Sequence, residues 1–282
     1  MNDYQDFGFN SNEFLGEITT IPYCQFLNAS SKNYGIAVTT SNAEIAKLQL
    51  KDNWQTMQHE FTDGTNDTLL VAKQPRLLVL NRSQPLMSKE TEISPYSKVK
   101  FAEGGYKAFS YLVVWFLDNN NQPLSELPFR LKCSGYAGLT FLKNYSYYNN
   151  PDSFCRQFLQ IYKHLTGDRA IDKNDIFYAH AVYQPYLIRQ KVTSSINGQS
   201  SWAVMTDRFL KPDLSNFGSL IIKNGSTISD KIKELIVSTK PWLKTETIQS
   251  EAEAYVPGAE TETLTTEHNG IEAGLTPEPV AF

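Results

Sequence analysis

Apolar and polar residues alternate with a period of two over much of the chain, and the breaks between such stretches fall on Asn, Gly and Pro. This pattern predicts strands joined by turns. YGIAVTT (34–40) is the first clear strand; in SNAEIAKLQL (41–50) after it, Ser41 and Glu44 have capping-box spacing, and Ile45, Leu48 and Leu50 offer a short apolar face. TLLVA (68–72) and RLLVLN (76–81) flank KQP and predict a hairpin. YKAFSYLVVWFLD (106–118) and LPFRLKCSG (127–135) predict another, across an Asn-rich loop whose residues tolerate left-handed backbone angles. A third hairpin is expected from IFYAHAVYQPYLIRQKV (176–192) and SSWAVMTDRFL (200–210), with Asn197-Gly198 at its turn. Six or seven strands result.

Helical spacing interrupts this pattern twice. PDSFCRQFLQIYKHLTG (151–167) opens with capping residues, puts Phe154, Phe158, Ile161, Tyr162 and Leu165 on one face and stops at Gly167. SDKIKELIVSTKPWL (229–243) carries Ile232, Leu235 and Ile236 as a stripe and ends before Pro241. YAGLTFLKNYSYY (136–148) fits either class and is expected to line the same core. The expected fold class is β-rich α+β, a small barrel or sandwich in the manner of an oligonucleotide-binding fold, with two or three helices.

Charge divides the chain into three parts. Residues 1–17 and 245–282 hold twelve of the 30 acidic residues and no Lys or Arg, so residues 18–244 set 18 acids against all 26 basic residues, about +8. The expected organisation is a loosely ordered acidic arm over 1–17, a basic globular body over 18–244, and a disordered acidic tail over 245–282, which has too little apolar surface to offset the entropy of ordering. The first residues have neither a basic nor an apolar signal segment, and the longest apolar run, Tyr111–Leu117, is strand length, so a cytoplasmic protein is expected. Cys24, Cys133 and Cys155 form no CxxC pair, which points to reduced, buried thiols.

Aromatic residues make up 12% of the chain, and many stand within a few positions of Lys or Arg, as in YKAFSY, FRLK, LKNYSYYNN, YQPYLIRQK and MTDRFLK. On strands this is ordinarily core packing with a basic wet face. The same two residue types also serve single-stranded nucleic acid, where cations follow the phosphates and unpaired bases stack on rings. The surface contacts expected on that basis are Lys132, Lys143, Tyr145, Tyr147, Tyr148, Arg189, Lys191, Arg208 and Lys211; NYSYYNN is too polar to be core alone.

The acidic end of the chain, closing on Pro279-Val280-Ala281-Phe282, resembles the C-terminal tails of bacterial and phage single-stranded DNA-binding proteins. The resemblance covers about a dozen residues, with Glu dispersed through the tail where that family clusters Asp. It implies that Phe282 docks on a replication or repair protein and that the tail competes with nucleic acid for the basic body.

Catalytic patterns are absent from the sequence. His59, His164, His180 and His268 have no metal-ligand spacing, Cys155 and His164 stand too far apart on one helix for a dyad, and Glu103-Gly104-Gly105 lacks the context of a phosphate loop. The expected function is therefore sequence-nonspecific binding of single-stranded DNA, or of RNA, without catalysis, metal or cofactor and away from membranes. The alternative is a β-rich assembly subunit of phage or plasmid origin, its aromatics forming subunit contacts.

Overall fold

The computed structural model describes residues 21–28, 33–51, 53–60, 66–146, 150–169, 172–193 and 200–254. The fold is β-rich α+β, built on one large mixed sheet with a two-stranded sheet beside it. The large sheet comprises β1 (Tyr23–Asn28), β2 (Tyr34–Thr39), β3 (Trp54–Glu60), β4 (Asn66–Ala72), β5 (Arg76–Arg82), β6 (Leu86–Lys89), β7 (Glu92–Pro95), β8 (Lys107–Leu117) and β9 (Phe129–Ser134). Its order is β3-β4-β2-β1-β9-β8-β6-β7, with β5 on β8 above β6, and only the β1–β9 pair is parallel. Among the described residues the sheet stays open, ending on β3 and β7, so the barrel form is not realised.

Short helices α1 (Thr40–Ala46) and α2 (Lys98–Ala102) join strands, and α3 (Gly135–Ser146) follows β9. Next come α4 (Phe154–Thr166), α5 (Asp175–Tyr178), the hairpin β10 (Pro185–Thr193) and β11 (Ser200–Phe209), α6 (Thr227–Thr239) and α7 (Thr245–Ala254). The ambiguous segment after residue 136 is thus helical. The stretch expected as one long strand from residue 176 instead opens with α5, whose cap Asn174 accepts a hydrogen bond from the Phe177 amide. Asn197-Gly198 lies outside the described residues.

Local chemistry moved two other boundaries. The N-cap of α1 is Thr39, still extended at φ −72°, whose hydroxyl accepts from the Asn42 amide. The Ser41–Glu44 capping box therefore does not form, because the chain has turned into the helix two residues earlier. β4 and β5 make no hairpin either. Both edges of β4 are taken, by β2 and β3, and β5 crosses to β8. Arg76 anchors that crossing: its buried guanidinium donates to Gln184 Oε1 at 3.1 Å and to the Ser219 carbonyl at 2.9 Å. Such charge-assisted bonds offset the cost of burying a cation.

The aromatic surplus is largely core. Tyr183 is fully buried and its ring meets those of Phe141, Tyr145, Phe154 and Phe209 at centroid distances of 5.1–6.0 Å. These residues come from α3, α4 and β11, and they pack against Leu131 and Cys133 on one face of the sheet. The ordered chain also passes the expected boundary at Lys244. Ile248 of α7 is buried against Leu86 and Phe109, and Gln249 Oε1 accepts from the Ile93 amide on the edge strand β7. One apolar residue and one carboxamide suffice to bind an otherwise acidic helix to the sheet.

Candidate nucleic-acid interface

Four of the expected contacts fall on one structural unit. Arg189 and Lys191 belong to β10, Arg208 to β11, and Lys211 follows two residues after β11. Antiparallel pairing puts Lys191 directly opposite Trp202 and Arg189 opposite Val204. Cross-strand neighbours share a face, so Arg189 and Lys191 both flank Trp202. The Arg189 guanidinium lies 4.1 Å from the indole centroid, and Trp202 remains 45% exposed. The hairpin thus holds an accessible aromatic surface between two cations.

A second pair sits nearer the base. Arg208 lies 5.0 Å from the centroid of Tyr186, its partner in the ladder. The register shifts by one residue between Tyr186 and Leu187, leaving Asp207 as the extra residue of a bulge. Alternation turns Leu187 and Arg189 to one face and Tyr186 to the other. Leu187 and Val204 bury the inner part of the hairpin in the core.

Helix α3 fixes the hairpin from the side. The Thr206 amide donates to Thr140 Oγ1 at 3.1 Å, and Asn144 Nδ2 donates to the Thr206 carbonyl at 3.1 Å. The same helix carries Lys143, exposed and one residue from Asn144.

Two expected contacts go elsewhere. Tyr145 is 4% exposed, its ring stacked 6.2 Å from Phe154 and its hydroxyl hydrogen-bonded to Cys155. Burial raises its pKa well above the ordinary phenol value and pushes that of the Cys155 thiol up to about 12. It is a core residue because Phe141 and Tyr145, four apart on α3, share the inward face. Lys132 alternates with Leu131 and Cys133, which point into the core, and so faces the opposite side of the sheet from the hairpin. There its ammonium lies 4.6 Å over Phe109, half-buried, with its pKa lowered by burial first and then by Lys107 and Arg130. Tyr147, Tyr148 and Phe282 lie outside the described residues.

Trp202 and Tyr186 were not among the expected contacts. Nothing in SSWAVMTDRFL distinguishes an exposed Trp from a core one; the place of Trp202 beyond the buried inner part of the hairpin does. His180, considered as a base, is buried, with Nδ1 donating to the Ile176 carbonyl at 2.7 Å and Nε2 3.0 Å from Ser229 Oγ. Ser229 is itself fully buried, so this contact serves to lock α5 against α6. Cys155 is buried and His164 exposed on the same helix. Among the described residues no group of three His, Cys, Asp or Glu is placed to hold a metal ion, and no helix is long and apolar enough to cross a membrane.

Residues 19–254 match the model of a family described as Domain of unknown function (DUF5895). No curated protein and no solved structure matches the chain.

Proposed function

The chain belongs to the DUF5895 family, and on that premise we propose from its own surface that it binds single-stranded nucleic acid, DNA in the first instance, in the cytoplasm and without catalysis. The observation that carries this reading is Trp202, exposed at the outer part of the hairpin with Arg189 stacked on it and Lys191 across from it. An exposed indole between cations offers one base a stacking partner and its two phosphates a counter-charge. Because every base has a π face, such a site tolerates any sequence. Arg208, paired with Tyr186, adds a cation on the hairpin's other face, nearer its base.

Trp202→Ala tests the reading. The side chain is not part of the core, so the variant folds, as far-UV circular dichroism will show. Its affinity for an oligothymidylate falls by about 1–3 kcal/mol, the cost of losing one base–aromatic stack. Trp202→Phe keeps most of the affinity. An alanine variant that binds as tightly as the parent removes the stacking role of the hairpin.

A further inference from the structure

Next to the hairpin, Asn53, Gln55, Val71, Lys73 and Gln74 line an open, shallow cavity of about 250 Å³. Gln55 stands opposite Val71 in the β3–β4 ladder. Asn53 and Lys73 lie just beyond the ends of β3 and β4, each two positions along the chain from one of these. Trp54 and Ala72, between them, turn the other way: Trp54 packs on Phe116 at 4.9 Å and Ala72 is fully buried. The cavity therefore opens on the outer face of the sheet, at the end of edge strand β3.

Among the described residues its lining consists of three carboxamides, one ammonium and one valine. Asn53 Nδ2 donates to the Gln74 carbonyl at 3.3 Å, which leaves Asn53 Oδ1 as an acceptor. The Lys73 ammonium, a donor only, sits 4.4 Å over the ring of Tyr34. The Lys73 carbonyl accepts from the Leu187 amide at 2.9 Å. The cavity thus begins beside β10, one residue from Tyr186 and its partner Arg208.

We infer that this cavity receives one unpaired nucleobase, guanine in preference to the others, from a strand bound at the hairpin. Guanine presents O6 and N7 as adjacent acceptors, which an ammonium matches, and N1–H and the N2 amino group as donors, which carboxamide oxygens accept. Adenine places an amino donor where guanine has O6, and a lysine cannot accept from it. The inference rests on the hairpin's binding role and adds a single base-selective position to a surface otherwise indifferent to sequence.

Two measurements on the full chain test it. In the first, oligothymidylates of about 15 nucleotides carry one central guanine, adenine or cytosine, and their affinities are compared by fluorescence anisotropy. The guanine oligomer binds roughly tenfold tighter than the adenine one, the scale of one matched base edge. That preference disappears in Lys73→Met and in Gln55→Ala, neither of which removes a core side chain. In the second, the side-chain amide resonances of Asn53, Gln55 and Gln74 are followed by NMR as guanosine monophosphate is added, and they shift. Equal affinity for all oligomers together with unmoved amide resonances overturns the cavity and leaves the hairpin standing. Shifted amides in a protein that binds no oligomer uphold the cavity and overturn the hairpin.

Discussion

Replacing Gly138 with alanine should destabilise the fold by at least about 3 kcal/mol, at the upper end of what overpacking costs. A Cβ at this position would stand 2.3 Å from the carbonyl carbon of Cys133 and 2.6 Å from its Cα. Both are backbone atoms of β9, the strand that leads directly into α3, so no side-chain rotation relieves the clash. The helix must move outward, and Phe141 and Tyr145 leave the core with it. Gly135 offers a control three residues earlier. Its φ is +57° but nothing lies within 4 Å of an added Cβ, so alanine there costs only the left-handed backbone, about 1–2 kcal/mol. Urea unfolding of both variants measures the difference. A Gly138→Ala protein within 1 kcal/mol of the parent, on the same scale, would show that α3 is not pressed against β9.

Phe154→Ala is expected to cost about 3–5 kcal/mol, the range for emptying a buried aromatic site. Phe154 is fully buried at the start of α4, and its ring meets Tyr145, Phe158, Tyr183 and Phe209 at centroid distances of 5.1–6.2 Å. Those four side chains belong to α3, α4, the segment before β10, and β11. Surrounding elements so varied cannot all close inward on the same void, which places the cost high in the range. Phe209 also seats β11, so the variant loosens the hairpin that carries Trp202. Tyr145→Phe separates packing from polarity: it keeps the ring and loses only the hydroxyl bonded to Cys155, a change of about 1 kcal/mol. Thermal unfolding should place the two variants far apart. Equal midpoints would mean that the aromatic cluster contributes little beyond its polar contacts.

The parts of the fold that sequence makes legible are those governed by local periodicity. Strong alternation located β2, β8, β9 and the β10–β11 hairpin, and a one-sided apolar stripe with Gly167 beyond it located α4. Partners distant in sequence were not legible. KQP reads as a hairpin turn, yet both neighbours of β4, β2 and β3, come from residues before it, and β5 is held by Arg76 contacts to residues more than a hundred positions away. β1 pairs in parallel with β9, a contact no local signal announces. α7 was hidden for a related reason: Ile248 and Gln249, which tie it to the sheet, are too few to alter the acidic character of the segment.

The binding surface was legible in the same uneven way. Arg189, Lys191, Arg208 and Lys211 could be proposed because basic residues stood near aromatics, and the hairpin gathers them. Tyr145 could not be told from a surface ring, since its burial is decided by α4 and Tyr183 packing over α3. Lys132 is separated by strand parity, which sends neighbouring residues to opposite faces of one sheet. Trp202 shows the complementary failure. Its exposure follows from its place in the outer part of a hairpin whose inner part is the buried one.

The central claim is most directly tested by titrating a fluorescent oligothymidylate with the full-length protein and recording anisotropy across a series of salt concentrations. If Lys143, Arg189, Lys191, Arg208 and Lys211 all meet phosphates, the logarithm of the binding constant falls linearly with the logarithm of salt, with a slope of about −3.5. Absence of binding at low salt, or binding that salt leaves unchanged, would contradict a nucleic-acid surface on the hairpin.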